Sequence, residues 1–156
     1  MTEPIAKYKA SVTEHEIQAA VIEWCLVNAT IHPQLGMIYA IPNGANKSYT
    51  ARKKFQAEGL RSGVPDLHLP VSSKPAYTLN VPNHSRNNDG DTFESKVYHS
   101  LYIELKRWDG RLSANQVIWK ERLEKYDNCV VVCYTLDNAL DAIWWYLGLR
   151  IEDRSE

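Results

Sequence analysis

Cysteine is scarce in this sequence and odd in number: Cys25, Cys129 and Cys133 among 156 residues. Three thiols cannot build the paired framework of a small secreted scaffold, and a zinc site would want closer pairs and further ligands. Cys25 falls on an apolar helical stretch, and Cys129 and Cys133 share one face of the strand Cys129-Val130-Val131-Val132-Cys133, so all three are expected to be small core residues. No apolar run is long enough to cross a bilayer and no signal segment is evident, so the chain is expected in the cytoplasm with no membrane partner. An excess of either charge is also missing: 18 Lys and Arg stand against 19 Asp and Glu, a net charge of -1. That excludes a nonspecific polycation, so any basic surface must be local. Internal repeats, a Gly-rich phosphate loop and a Ser-His-Asp arrangement are absent too. The length suits one domain, which would bury about two thirds of its unfolded surface.

Two short motifs carry chemistry. In Leu101-Tyr102-Ile103-Glu104-Leu105-Lys106 the aliphatic residues alternate with Tyr102, Glu104 and Lys106. The period of two sends Glu104 and Lys106 to one face and the aliphatics to the other. Pro65-Asp66 opens a second apolar stretch, Asp66-Leu67-His68-Leu69, and Pro65 suits a first strand position where its missing N–H is tolerated. If the two strands pair, Asp66 and Glu104 converge on a hard divalent cation, and Lys106 orients or deprotonates an attacking water. The spacing alone is weakly specific. Glu94-Ser95-Lys96 repeats it, but after a loop-like Asn-, Asp- and Gly-rich stretch with no buried strand to hold it. A salt bridge on a solvated strand face would explain Glu104 and Lys106 without chemistry, and a plain turn would explain Gly63-Val64-Pro65-Asp66.

The wider context resembles the VRR-NUC family, the virus-type replication and repair nucleases of the PD-(D/E)XK superfamily. The resemblance rests on residues 58–67, which contain Gly63-Val64-Pro65-Asp66-Leu67, on Tyr102-Ile103-Glu104-Leu105-Lys106, and on Gly110-x-Leu112-Ser113-x-x-Gln116. Glu14-His15-Glu16-Ile17-Gln18 and Pro42-Asn43-Gly44 extend it. It implies a restriction-endonuclease-like α/β core, in the order αβββαβ, with a mixed central sheet flanked by helices. It also implies hydrolysis of DNA phosphodiesters with magnesium or manganese, by in-line attack of water, leaving a 5′-phosphate and a 3′-hydroxyl. The metal ligands would be Asp66, Glu104 and the main chain of Leu105, with Lys106 beside the water. Small stand-alone members further suggest a homodimer acting on branched DNA such as a Holliday junction; flap or duplex cleavage, or a non-catalytic DNA-binding subunit, are the alternatives.

The family's helical acid falls on Glu14 or Glu16. Thr13-Glu14-His15-Glu16 fits a capping box that would occupy Glu16, whereas Glu14 lies on the side of Ile17, which makes Glu14 the candidate; a first-turn acid complementing the helix dipole is the structural alternative. Gln116 matches the family's glutamine on the helix after the Glu-x-Lys strand, although Ser113-Ala114-Asn115-Gln116 is again a capping-box spacing. His68 would share a face with Asp66 but reads as a packed or surface side chain. Lys47, Arg52, Lys53, Lys54 and Arg61 stand against the single acid Glu58 just before Asp66, and are the candidate DNA contacts. Their alternative is the solvated face of a surface helix.

Periodicity predicts helices from about Thr13 to Val27, after Ser113 to Lys125, and from Asp137 to Leu147, with a strand near Met37 to Ile41 and a basic helical segment before Asp66. Residues 13–148 form the expected domain between tails at 1–12 and 149–156. A polar insert, about 72–97, is expected to be loop-like and mobile, with a hairpin near Tyr77 to Val81. Trp144-Trp145-Tyr146 puts rings on more than one side of the last helix, as core plus rim or as a partner interface.

Overall fold

The computed structural model describes residues 12–43, 48–81 and 91–149. Helix α1 (Glu14–Asn28) begins at a capping box: the Thr13 hydroxyl accepts the Glu16 amide, and the Glu16 carboxylate accepts the Thr13 amide at 2.7 Å. Ile17, Val21 and Cys25 follow at four-residue steps and make its buried stripe. A 3₁₀ turn over Pro33–Met37 then takes up the start of the expected strand, which is reduced to β1 (Tyr39–Ala40). Pro33 presets a helical dihedral at the first position of that turn, and Leu35 anchors it in the core. The basic segment is helix α2 (Tyr49–Ala57), capped by Ser48 and burying none of its side chains.

Strands β2 (Leu67–Leu69), β3 (Leu79–Val81), β4 (Asp91–Phe93) and β5 (Leu101–Leu105) come next, then helix α3 (Ala114–Lys125), β6 (Cys129–Cys133) and helix α4 (Leu136–Leu147). The main sheet runs β1-β2-β5-β6. Its first three strands are antiparallel to their neighbours, and β6 joins β5 in parallel. This is the mixed sheet expected from the sequence. Leu101, Ile103 and Leu105 are sealed under α1 and α4, together with Leu67, Leu69, Val131 and Ile143. Glu104 and Lys106 point from β5 to the other face, over which α3 lies. All three cysteines are free and buried, and burial pushes the Cys25 thiol up to about 12 and those of Cys129 and Cys133 further in the same direction. They are inert core residues.

The polar insert departs from expectation. Its described parts are ordered into the core: β3 pairs with β4, Ser73 bridges Tyr98, and the Ser73 hydroxyl bonds the Tyr146 carbonyl. The Trp145 indole donates to the Tyr77 carbonyl at 2.6 Å, and the Tyr146 hydroxyl donates to that of Val71 at 2.6 Å. Phe93 and Tyr98 are buried against Trp145 at ring separations of 6.0 and 6.2 Å. Two aromatic anchors outweigh the polar composition around them. The remainder of the insert, residues 82–90, lies outside the described residues. The same contacts explain the ring-rich end of α4: Trp144 packs at 5.6 Å from Trp24, while Trp145 and Tyr146 cover the insert's aromatics, so these rings fill the chain's own core. No described helix is long and apolar enough to cross a membrane.

If the insert is part of the core, Phe93→Ala should destabilise the whole domain by about 3–5 kcal/mol. Chemical denaturation monitored by tryptophan fluorescence would measure it, and a loss below about 0.5 kcal/mol would mark the insert as an independent loop.

Candidate active site

The site follows from strand register. Leu69 faces Leu101 and Leu67 faces Ile103 across the antiparallel β2–β5 pair. Asp66, at the bend one residue before β2, comes next to Glu104, one residue beyond Ile103. Asp66 and Glu104 therefore project from the sheet side by side, on the face away from the aliphatic core. Ladder bonds from β5 to β6 use the Lys106 amide and the Ser100 carbonyl, so the odd-numbered β5 residues direct their amides and carbonyls to β2. Leu105 consequently directs both groups past the end of the β2 ladder, where Pro65 has no N–H to donate. The Asp66 carboxylate takes the Leu105 amide at 2.7 Å. The Leu105 carbonyl is left with no ladder donor, next to two carboxylates.

Around this core the other side chains are drawn in by separate elements. Lys106 lies 2.9 Å from Glu104 as an ion pair in which both side chains are nearly buried. From α3, the Gln116 amide oxygen closes the capping box by accepting the Ser113 amide at 2.8 Å, which turns its NH₂ toward Glu104, to which it donates. The two readings of Gln116 are thus one geometry: the cap orients the amide that holds Glu104. From α1, Glu14 accepts the Arg107 amide at 3.1 Å, directly after Lys106, whereas Glu16 is occupied by its cap. Glu14 is the helical acid that the fold brings to this cluster.

Burial pushes Glu104 up to about 7, assisted by the neighbouring charge of Asp66 and opposed by Lys106. Burial also raises Asp66, against the Leu105 amide and Lys106, which lower it. For Lys106, burial works against the ammonium, but Glu104, with Glu14 and Asp66 beyond it, outweighs that and holds it above the usual lysine value. With all three carboxylates ionised against one ammonium, the partly buried cluster would carry two negative charges, which a divalent cation would balance. Among the described residues no three His, Cys, Asp or Glu side chains close into a set able to hold an ion unaided. The fit is instead to a hard cation that takes a few carboxylate and carbonyl oxygens and completes its shell with water and phosphate, as magnesium does.

In a comparison with solved structures the chain superposes on a VRR_NUC domain protein with a TM-score of 0.62 and 24% identity, over 89% of this chain and 91% of that one. This chain has the fold of a VRR_NUC domain protein. Its mixed central sheet flanked by helices is the fold class that the sequence resemblance implied. No family model and no curated protein matches the sequence.

Within this VRR_NUC-type fold the remaining candidates separate. His68 lies flat on Tyr102 at 4.2 Å and shares a hydrogen bond of 2.7 Å with the Tyr39 hydroxyl. Burial depresses its pKa, so it is a neutral packed ring. Glu94-Ser95-Lys96 lies off the site, with Lys96 paired to Asp127 at 3.2 Å. Of the basic run, Arg52 lines a groove that reaches Asp66 and Gln116. Lys53 sits over the Tyr49 ring at 4.9 Å, and Arg61 donates to the Gln56 and Leu60 carbonyls. Lys54 is exposed on α2, and Lys47 lies outside the described residues. Sequence reading missed Leu60, Ser62 and Val64 as groove walls; their proximity to Pro65-Asp66 was the available signal.

Gly63 makes that proximity possible. Its φ is +90°, and a Cβ there would lie 2.6 Å from the Asn115 carbonyl carbon. Gly63→Ala should cost about 1–3 kcal/mol in urea unfolding, and a neutral effect would contradict the close approach.

The raised Glu104 pKa gives a pH signature. The folded state holds this proton more tightly than the unfolded state, so the metal-free protein loses stability as pH rises from the ordinary glutamate range through about 7. In EDTA, the melting temperature of Glu104→Gln minus that of the parent should grow by about 3 °C or more between pH 5 and pH 8. A constant difference would mean Glu104 titrates normally.

Proposed function

We propose that this chain is a metal-dependent nuclease that hydrolyses DNA phosphodiesters. The observation that carries the reading is the pairing of Asp66 and Glu104 across one strand register, with Lys106 and Gln116 bonded to Glu104 and the Leu105 carbonyl lacking a ladder donor. Asp66, Glu104 and the Leu105 carbonyl would hold the ion, magnesium or manganese. When bound, the ion would supply an acidified water and neutralise charge at the phosphate. Lys106, fixed at 2.9 Å from Glu104, stands where an ammonium can orient water and offset negative charge that develops on phosphate oxygens. Gln116 keeps Glu104 in one rotamer, and Glu14 ties the chain after Lys106 through Arg107, so both act through the groups they hold.

The finer reading is a homodimer that resolves branched DNA. It is supported by the single such cluster seen among the described residues: two copies about a two-fold axis would place two sites to cut two strands together. It also rests on the resemblance of the motif blocks.

The test is cleavage of labelled four-way junction, flap and linear duplex, with magnesium, manganese or EDTA. Cleavage should require metal and favour the junction. Glu104→Ala and Lys106→Ala should each lower it about 100-fold or more, with junction binding kept within a few fold. Gln116→Ala should lower it about tenfold. Full activity of Glu104→Ala would remove the proposed site, and equal cutting of duplex would remove the junction preference.

A further inference from the structure

The groove between α2 and the start of α3 goes unused in this reading. It encloses about 300 Å³, ends on Asp66 and Gln116, and is walled by Leu60, Val64 and Ser62, with Arg52 of α2 along its other side. Among the described residues no carboxylate forms an ion pair with Arg52. Its neighbours in the basic run are engaged otherwise: Lys53 on the Tyr49 ring, Arg61 on main-chain carbonyls. The groove floor is fixed by Gly63, whose backbone lies too close to Asn115 for any side chain. The groove is therefore walled by a connection from α2 to β2 that is pinned against the start of α3.

Its chemistry is mixed in a particular way. Leu60 and Val64 offer apolar surface suited to the flat face of a base or a sugar. Ser62 and Gln56 offer donors and acceptors, and Arg52 a planar cation suited to phosphate. The volume is at the floor for small-molecule pockets, a scale that suits one nucleotide. A nucleotide seated here would lie beside the Asp66–Glu104 pair, so its phosphate linkage would reach the proposed cation.

We infer that this groove is a subsite for a single unpaired nucleotide next to the phosphate that is cut, with Arg52 on its phosphate. The inference rests on the nuclease reading for its link to cleavage, but not for binding. Substrate choice then follows from structure: a strand can enter only where a base is already unpaired, as at a branch, nick or frayed end, because extruding a paired base costs a few kcal/mol.

The experiment uses the whole chain in EDTA and a fluorescein-labelled deoxytetranucleotide, read by anisotropy at two salt concentrations. Arg52→Ala should weaken binding about tenfold and flatten the salt dependence by about one phosphate contact, while Lys125→Ala, at the far end of α3, changes it less than about twofold. Matched duplex should compete worse than single strand. Equal losses for the two variants, or duplex competing as well as single strand, would overturn the subsite and leave diffuse attraction in its place. Metal-dependent cleavage by the parent with binding unchanged in Arg52→Ala would sink the subsite and keep the nuclease reading. Selective loss in Arg52→Ala with no cleavage of any DNA by the parent would keep the subsite and sink that reading.

Discussion

The hydrogen bond from the Leu105 amide to the Asp66 carboxylate is the interaction on which the rest of the site depends. It forms where the β2–β5 ladder ends: the chain bends at Asp66, just before β2, and the Asp66 side chain takes the Leu105 amide. Pro65, one residue earlier, has no N–H to offer the Leu105 carbonyl. The aliphatic side of the sheet protects this arrangement. A slip of one residue between β2 and β5 would turn Leu101, Ile103 and Leu105 out of the core and drive Glu104 and Lys106 into it. Core burial thus enforces the facing of Asp66 and Glu104, although the core residues touch no substrate.

The cluster is electrostatically unfavourable as it stands. Glu104 is nearly buried and next to another carboxylate, and its partners, the Lys106 ammonium and the Gln116 amide, only partly offset that. A core selected for stability alone would fill the same space with apolar residues. The cation proposed for this site would offset the excess negative charge, and the supports around the carboxylates are structural devices already needed elsewhere. Gln116 is held by its helix cap, and Glu14 by the amide that follows the strand.

Much of this was legible in the sequence because it is written in local periods. Alternation placed Glu104 and Lys106 on one face, and the two capping boxes set the starts of α1 and α3. The choice of Glu14 over Glu16 as the acid nearest the cluster was also readable, since a residue committed to a cap has no free carboxylate. What local patterns could not carry was pairing. The position of Asp66 beside Glu104, with the Leu105 amide on its carboxylate, exists only once β2 and β5 are in register. The insert misled for a related reason: its composition is polar, but Phe93 and Tyr98 meet Trp145 from a distant helix, and two long-range anchors decide the fate of the segment.

The basic run shows how far charge composition can go. A count of lysines and arginines before Asp66 suggests an undivided positive surface. In the folded chain those cations differ in kind: one rests on an aromatic ring, one is bonded to main-chain carbonyls, and Arg52 borders the groove that ends at the carboxylates. In a chain of net charge -1, long-range attraction to a polyanion is weak, so the DNA of the proposed function would have to be held by contacts at short range. Under that proposal, local geometry at the mouth of the site, rather than overall charge, would select the strand.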